Sequence, residues 1–166
     1  MWDSNFPVIR MQVFGHRGSP GFPRYGENTR TSFLKALQAG SSGFEFDVRR
    51  CGDGNLVVLH DATLERTTNG AGPVAALSYE QLRRFDAGHG DSIPLLTDIL
   101  NEFGTKTILH IELKDAGLSQ DVAKMLRARG LLKHVVISGF DADDNEPEAS
   151  STWIQLGEMA PEIPIA

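Results

Sequence analysis

Cysteine is nearly absent from this sequence: Cys51 stands alone, which excludes an internal disulfide and any need for an oxidising compartment. Positive charge is scarce too. The 16 lysines and arginines are outnumbered by 22 aspartates and glutamates, giving a net charge of −6 and a pI near 5.3. With no basic patch in view, nucleic acid and anionic membranes are excluded as main partners. A small anionic substrate fits, provided local cations and a metal offset the field. No apolar run approaches a membrane span, and Met1–Pro7 lacks the basic start and apolar stretch of a signal peptide. The expectation is a cytoplasmic protein without stable membrane insertion. No repeat or low-complexity tract stands out, and 166 residues, 40% apolar and 23% charged, suit one domain over 1–166 with a real core.

The most informative stretch is Gly43–Asp61. Glu45 and Asp47 sit two apart in a strand-like run with Phe44, Phe46 and Val48 between and beside them. Alternation puts the two carboxylates on one face, their Cα atoms roughly 6.5 Å apart. Their mutual repulsion is best explained by a cation between them, since oxygen-rich sites suit hard divalent ions. A solvent-facing row of acids on an antiparallel sheet is the competing reading. Asp53-Gly54 then signals a hairpin. Folding about those two residues sets His60 opposite Asp47; a parallel return would also leave them level.

Elsewhere the chain alternates strands and helices. Val8–Gly15 reads as a first strand ending in Gly15-His16-Arg17-Gly18, where Arg17 suits a phosphate and His16 can trade protons. Glu27-Asn28-Thr29 opens a helix to about Ala39, with Asn28 or Thr29 as N-cap and Glu27 as either a capping residue or a brace for the site. The excursion 62–93 exceeds what a connection needs, as functional lids often do, and Ser78 caps a short helix within it. A helix over Thr97–Phe103 stops at Gly104, the strand Thr107–Leu113 carries Glu112 and is followed by Lys114, and a helix over Leu118–Arg129 stops at Gly130. Val135–Phe140 is a further strand, Ala149–Met159 a further helix, and Ile163–Ala166 the start of another strand. The repetition predicts an α/β fold with a parallel sheet, and His16, Asp47, His60 and Glu112 all fall at strand ends, the working face of a (β/α) barrel.

Together, His16-Arg17-Gly18, Glu27-Asn28-Thr29, Glu45-x-Asp47, His60-Asp61 and Glu112-x-Lys114 resemble, in order and spacing, the glycerophosphodiester phosphodiesterase family. Thr63–Thr68 and Ile93-Pro94 look like that family's inserted subdomain and the return to its barrel, and the match covers roughly residues 12–140. The resemblance implies a (β/α) TIM barrel of the phospholipase-C-like phosphodiesterase type, with 62–93 as the insertion covering the glycerol side. It implies metal-dependent hydrolysis of glycerophosphodiesters to glycerol 3-phosphate and an alcohol. His16 and His60 would be the acid–base pair; Glu45, Asp47 and Glu112 would hold one Mg²⁺ or Ca²⁺; Arg17 and Lys114 would neutralise the phosphate. Glu27, Asn28 and Asp61 would support them. The glycerol's own hydroxyl is expected to attack first, giving a cyclic phosphate that water opens; direct attack by water is the alternative.

An eight-stranded barrel takes about 250 residues. Only about five barrel strands are legible here, so the fold is expected to be incomplete at its C-terminus, with an open sheet edge suited to self-association. The competing functions are a non-catalytic remnant that binds a metal, a phosphate compound or an assembly partner, and a related phospholipase acting on choline or inositol lipids.

Overall fold

Alternating apolar and acidic residues along Gly43–Arg50 form β2, the strand on which a parallel sheet is assembled. The structure, a computed structural model, describes residues 12–21 and 26–139. Within them β1 (Phe14–Gly15), β2, β4 (Ile108–Leu113) and β5 (Val135–Gly139) pair in chain order, each parallel to its neighbour. Helices α1 (Arg30–Gln38), α3 (Leu96–Phe103) and α4 (Ser119–Ala128) lie in the crossovers, as a (β/α) barrel requires. The predicted helix over Ala149–Met159 and strand over Ile163–Ala166, like residues 8–11 of the expected first strand, lie outside the described residues, and of residues 12–15 only Phe14–Gly15 is strand. No helix among the described residues is long and apolar enough to cross a membrane.

Helix termini form where the local chemistry asks for them. Thr29 is the N-cap of α1, its side chain accepting from the Ser32 amide while the Ser32 hydroxyl accepts from the Thr29 amide. That resolves the choice between Asn28 and Thr29, because Asn28 turns to φ +57° and works elsewhere. Phe33 from α1 stacks on Phe44 of β2 at 4.2 Å, and Phe103 from α3 meets the edge of the same ring at 5.2 Å. Phe44, Phe46, Val48, Leu109, Ile111, Val135 and Ile137 are buried on this helix-facing side. Period-two alternation then sends Glu45 and Asp47, with Glu112 and Ser138, to the other side. The register aligns Asp47 with Glu112 and Glu112 with Ser138.

The hairpin after β2 differs from expectation by one residue. β3 (Leu56–Val58) pairs antiparallel with Val48–Arg50, Val48 lying opposite Val58. The loop is Gly52–Gly54, closed by Cys51 N–H to Asn55 O and Gly54 N–H to Cys51 O, with Gly54 at φ +85°. Three residues rather than two make the turn, so Leu59 and not His60 comes level with Asp47; the Leu59 amide donates to the Asp47 carbonyl at 3.0 Å. β3 runs along the edge of β2 that β1 leaves uncovered, since β4 occupies the other edge through Val48.

Residues 62–93 leave β3 and return beside it, where the Val58 amide donates to the Pro94 carbonyl. They contain a 3-10 turn (Val74–Ala76) and the short α2 (Tyr79–Leu82), which Ser78 precedes as predicted. Leu64, Val74, Leu82, Ala87 and Ile93 bury against Val57 and Leu59 in a second, smaller apolar cluster.

Candidate active site

The carboxylates of Glu45, Asp47 and Glu112 converge, each offering an oxygen within 4.8 Å of the others. Glu45 and Asp47 are buried and Glu112 is partly buried. Crowding three acids in low dielectric is costly unless cations compensate. Burial, reinforced by the charges of Asp47 and Glu112, pushes the Glu45 carboxyl up to about 7. At Glu112 burial pulls the same way, but the Lys114 ammonium, 2.7 Å from Oε1, outweighs it and holds that carboxyl below its usual value.

Glu45 Oε1 and Asp47 Oδ1 accept no hydrogen bond, although Lys114 Nζ stands 3.5 Å from the latter. Two under-coordinated oxygens beside a third carboxylate suit a hard divalent cation with oxygen ligands. The donor set therefore fits a metal, and Glu45, Asp47 and Glu112 are the residues that could hold it.

Each acid is held in place by a defined partner. Asn28, at φ +57°, donates from Nδ2 to Asp47 Oδ2 at 2.8 Å, and its Oδ1 faces the Asp47 amide at 3.3 Å. Arg17, at φ +53°, donates its amide to Glu45 Oε2 at 2.8 Å and places Nε 3.4 Å from Asp47 Oδ2. Non-glycine residues in the left-handed region are uncommon and concentrate at functional sites. Gly18 makes this loop sit close to α1: at φ +83°, a Cβ there would come within 2.4 Å of the Ser32 hydroxyl.

His16 follows β1 directly, largely exposed, with Nε2 3.8 Å from Glu45 Oε2. His60 follows β3, its ring near enough to Glu112 to help hold that carboxyl low, and its Nδ1 is 2.6 Å from Asp61 Oδ1. Glu27 reaches this neighbourhood from its loop, accepting from Arg17 Nη1 at 2.9 Å. All ten sequence-chosen residues thus enter one connected neighbourhood.

Three further groups were missed. Arg66 spans Glu27 and Asp61, partners 39 and 5 residues away, and no local pattern announces that. Arg49 donates from Nε to the His60 carbonyl at 2.8 Å and pairs with Asp115. Its i+2 spacing from Asp47 puts it on the acidic face, a signal that alternation alone could have supplied. His110, level with Glu45, bonds through Nε2 to Ser138 Oγ at 2.7 Å, and burial lowers its pKa.

Comparison with known proteins gives the chain its family. The glycerophosphoryl diester phosphodiesterase family matches residues 16–166. A glycerophosphodiester phosphodiesterase from Caldanaerobacter subterraneus is 36% identical over 147 residues, covering 80% of this chain and 59% of that protein. A crystal structure of a glycerophosphodiester phosphodiesterase from Agrobacterium tumefaciens is 32% identical with a TM-score of 0.80, covering 93% of this chain and 65% of that one. A phosphodiesterase from Oleispira antarctica, solved in complex with the product sn-glycerol-3-phosphate, is 29% identical with a TM-score of 0.73, covering 93% and 64%. This chain spans about three fifths of the length of the curated relatives it matches. These structures support the expected (β/α)-barrel class.

Proposed function

Because this chain belongs to the glycerophosphoryl diester phosphodiesterase family, we propose that its site hydrolyses glycerophosphodiesters, releasing glycerol 3-phosphate and an alcohol. The observation that carries this reading is the meeting of Glu45, Asp47 and Glu112 with two cations, Arg17 and Lys114, between two histidines. A divalent cation, Mg²⁺ or Ca²⁺, when held by those three carboxylates supplies positive charge where the phosphoryl oxygens gain negative charge.

The remaining steps belong to the chain's own groups. Arg17 and Lys114 lie against the acidic cluster and neutralise the phosphate as its charge grows. His60, after β3, and His16, after β1, divide the proton work: one takes a proton from the attacking hydroxyl and the other gives one to the departing alkoxide. Attack by the glycerol's own hydroxyl expels the alcohol and leaves a cyclic phosphate, which water then opens; rapid-quench detection of that cyclic species tests this order. Asn28, Glu27 and Asp61 hold these groups in place. The excursion 62–93 forms a subdomain over the glycerol side, where a cavity of about 530 Å³ lies among Glu27, Arg66, Thr67, Asn69, Asp86 and His89.

The decisive assay follows release of glycerol 3-phosphate from glycerophosphocholine with and without EDTA, beside a His60→Ala control. Turnover that chelation and His60→Ala both abolish supports the reading. Turnover indifferent to both ends it, and a folded, metal-binding chain with no turnover favours a non-catalytic binding role.

A further inference from the structure

The excursion contributes one side chain to the site's polar network, and its connectivity is unusual. Arg66 donates from Nε to Asp61 Oδ2 at 2.6 Å and from Nη2 to Asp61 Oδ1 at 2.7 Å. Its other edge grips Glu27, from Nη1 to Oε2 at 2.9 Å and from Nη2 to Oε1 at 2.7 Å. Glu27 in turn accepts from Arg17, and Asp61 faces His60 Nδ1 at 2.6 Å. A continuous path therefore runs from His60 through Asp61, Arg66, Glu27 and Arg17 to Asp47.

We propose that Arg66 is a positioning residue: by clamping Asp61 against Glu27 it fixes the orientation and tautomer of His60. The proposal deepens the reading of His60 as an acid–base group. Asp61 adjoins His60 in sequence, so the pair has no rigid frame of its own and needs an anchor from outside. A guanidinium fork can hold both oxygens of two carboxylates at once, which an ammonium cannot.

The consequence for the imidazole follows from donor counting. An ionised carboxylate only accepts, so the group facing Asp61 Oδ1 must be a protonated Nδ1. Neutral His60 then keeps its lone pair on Nε2, the nitrogen free to exchange a proton with substrate. The guanidinium of Arg66, with the His60 contact, holds Asp61 well below the usual carboxylate range and so keeps it an acceptor. Without Arg66, Asp61 is free to rotate away and the two neutral tautomers mix.

The test is the ¹⁵N spectrum of histidine-labelled full-length chain at a pH where its imidazoles are neutral, with the His60 signals identified by their loss in His60→Ala. Wild type is expected to show Nδ1 protonated and Nε2 bare. Arg66→Met is expected to give a mixture, and Arg66→Lys, which keeps the charge but grips one carboxylate, an intermediate pattern that also serves should Arg66→Met lose the fold. In parallel, kcat is expected to fall about tenfold to a hundredfold in Arg66→Met and less in Arg66→Lys. A wild-type tautomer pattern in the folded variants overturns the proposal. A tautomer shift in a chain that releases no glycerol 3-phosphate supports Arg66 in this role while defeating the proposed hydrolysis.

Discussion

The sheet and the excursion 62–93 both bury apolar side chains completely, yet they reach that state by different routes. In the sheet, Phe44, Phe46 and Val48 alternate with Glu45 and Asp47, so one strand feeds the core and the site at once. In the excursion, Leu64, Val74, Leu82 and Ile93 are spaced by turns, and only a 3-10 turn and the one-turn helix α2 are regular. The sheet's chemistry is carried by backbone periodicity, whereas the excursion's is carried by a single long side chain, Arg66, reaching back to Glu27 and Asp61. Periodicity constrains many residues together; a lone guanidinium constrains a few, and that division sets what each kind of damage should do.

The largest effect is expected where the two regions share the proposed acid–base group. His60 lies between β3 and the excursion and is held through Asp61 and the Arg49–carbonyl bond. His60→Ala is expected to cut turnover about 10²- to 10⁴-fold with the fold intact, since its ring is partly exposed and outside both apolar clusters. Release of glycerol 3-phosphate beside a circular-dichroism melt checks both halves. A matching loss of melting temperature would mean that the residue is structural.

Truncations inside each cluster sharpen the contrast. Phe33→Ala in the sheet core is expected to destabilise by about 3–5 kcal/mol and Leu82→Ala in the excursion by about 2–5 kcal/mol, both side chains being fully buried. The difference should lie in where hydrogen exchange accelerates. Phe33 touches Phe44, Phe46 and Phe103, so its loss should raise exchange throughout the sheet. Leu82→Ala should raise it over 62–93 and leave β2 and β4 protected, as expected of separate cooperative units. Uniform acceleration in both variants would erase the distinction.

The same division explains what was legible in the amino-acid sequence. Glu45 and Asp47 were found because a period of two fixes a face whatever the tertiary context, whereas Glu112 was joined to them by the family resemblance, and the β2–β4 register is what aligns it with Asp47. The His60 register was missed by one residue because Gly52 joins the turn, and turn length is decided by which residue enters the left-handed region. Residue type alone left Asn28 and Thr29 as rival caps and only the resemblance gave Asn28 a supporting place; φ +57° turns its amide toward Asp47 and leaves the cap to Thr29. Arg66 was invisible since its chief partner, Glu27, lies 39 residues upstream, and no periodicity links residues so far apart.

The acidic face itself should report on pH. Folded Glu45 titrates near 7 against 4.5 when unfolded, so between those values the native chain keeps a proton that the unfolded chain has released. Stability of the EDTA-treated chain is therefore expected to fall as pH rises through this window, by at most about 3 kcal/mol from this group. His110, held below its usual value by burial, works in the opposite direction near 6.5. Denaturant titrations of wild type and Glu45→Gln separate the two, because the substitution should remove the decline and keep the His110 contribution. Adding a divalent cation should also remove it, with proton release visible in calorimetry. A wild-type pH profile unchanged by Glu45→Gln would show that Glu45 is not the group responsible.

The smallest expected effect falls on the turn where sheet gives way to hairpin. Gly54 sits at φ +85° with open space around its Cβ position, so a side chain there meets backbone strain and no clash. Gly54→Ala is accordingly expected to cost about 1–2 kcal/mol, and Gly54→Asn less, because Asn tolerates the left-handed region. Gly52 gives the control for sterics, since a Cβ there would lie 2.9 Å from the Ala75 carbonyl oxygen and press on the excursion. If the turn sets the register that brings Leu59 level with Asp47, Gly54→Ala should lower the melting temperature without moving the site, whereas Gly52→Ala should also disturb the contact between the Gly52 amide and the Leu77 carbonyl. Equal responses at the two glycines would mean that strain at this corner is shared between strand and excursion, and the boundary between the regions would have to be drawn beyond residue 54.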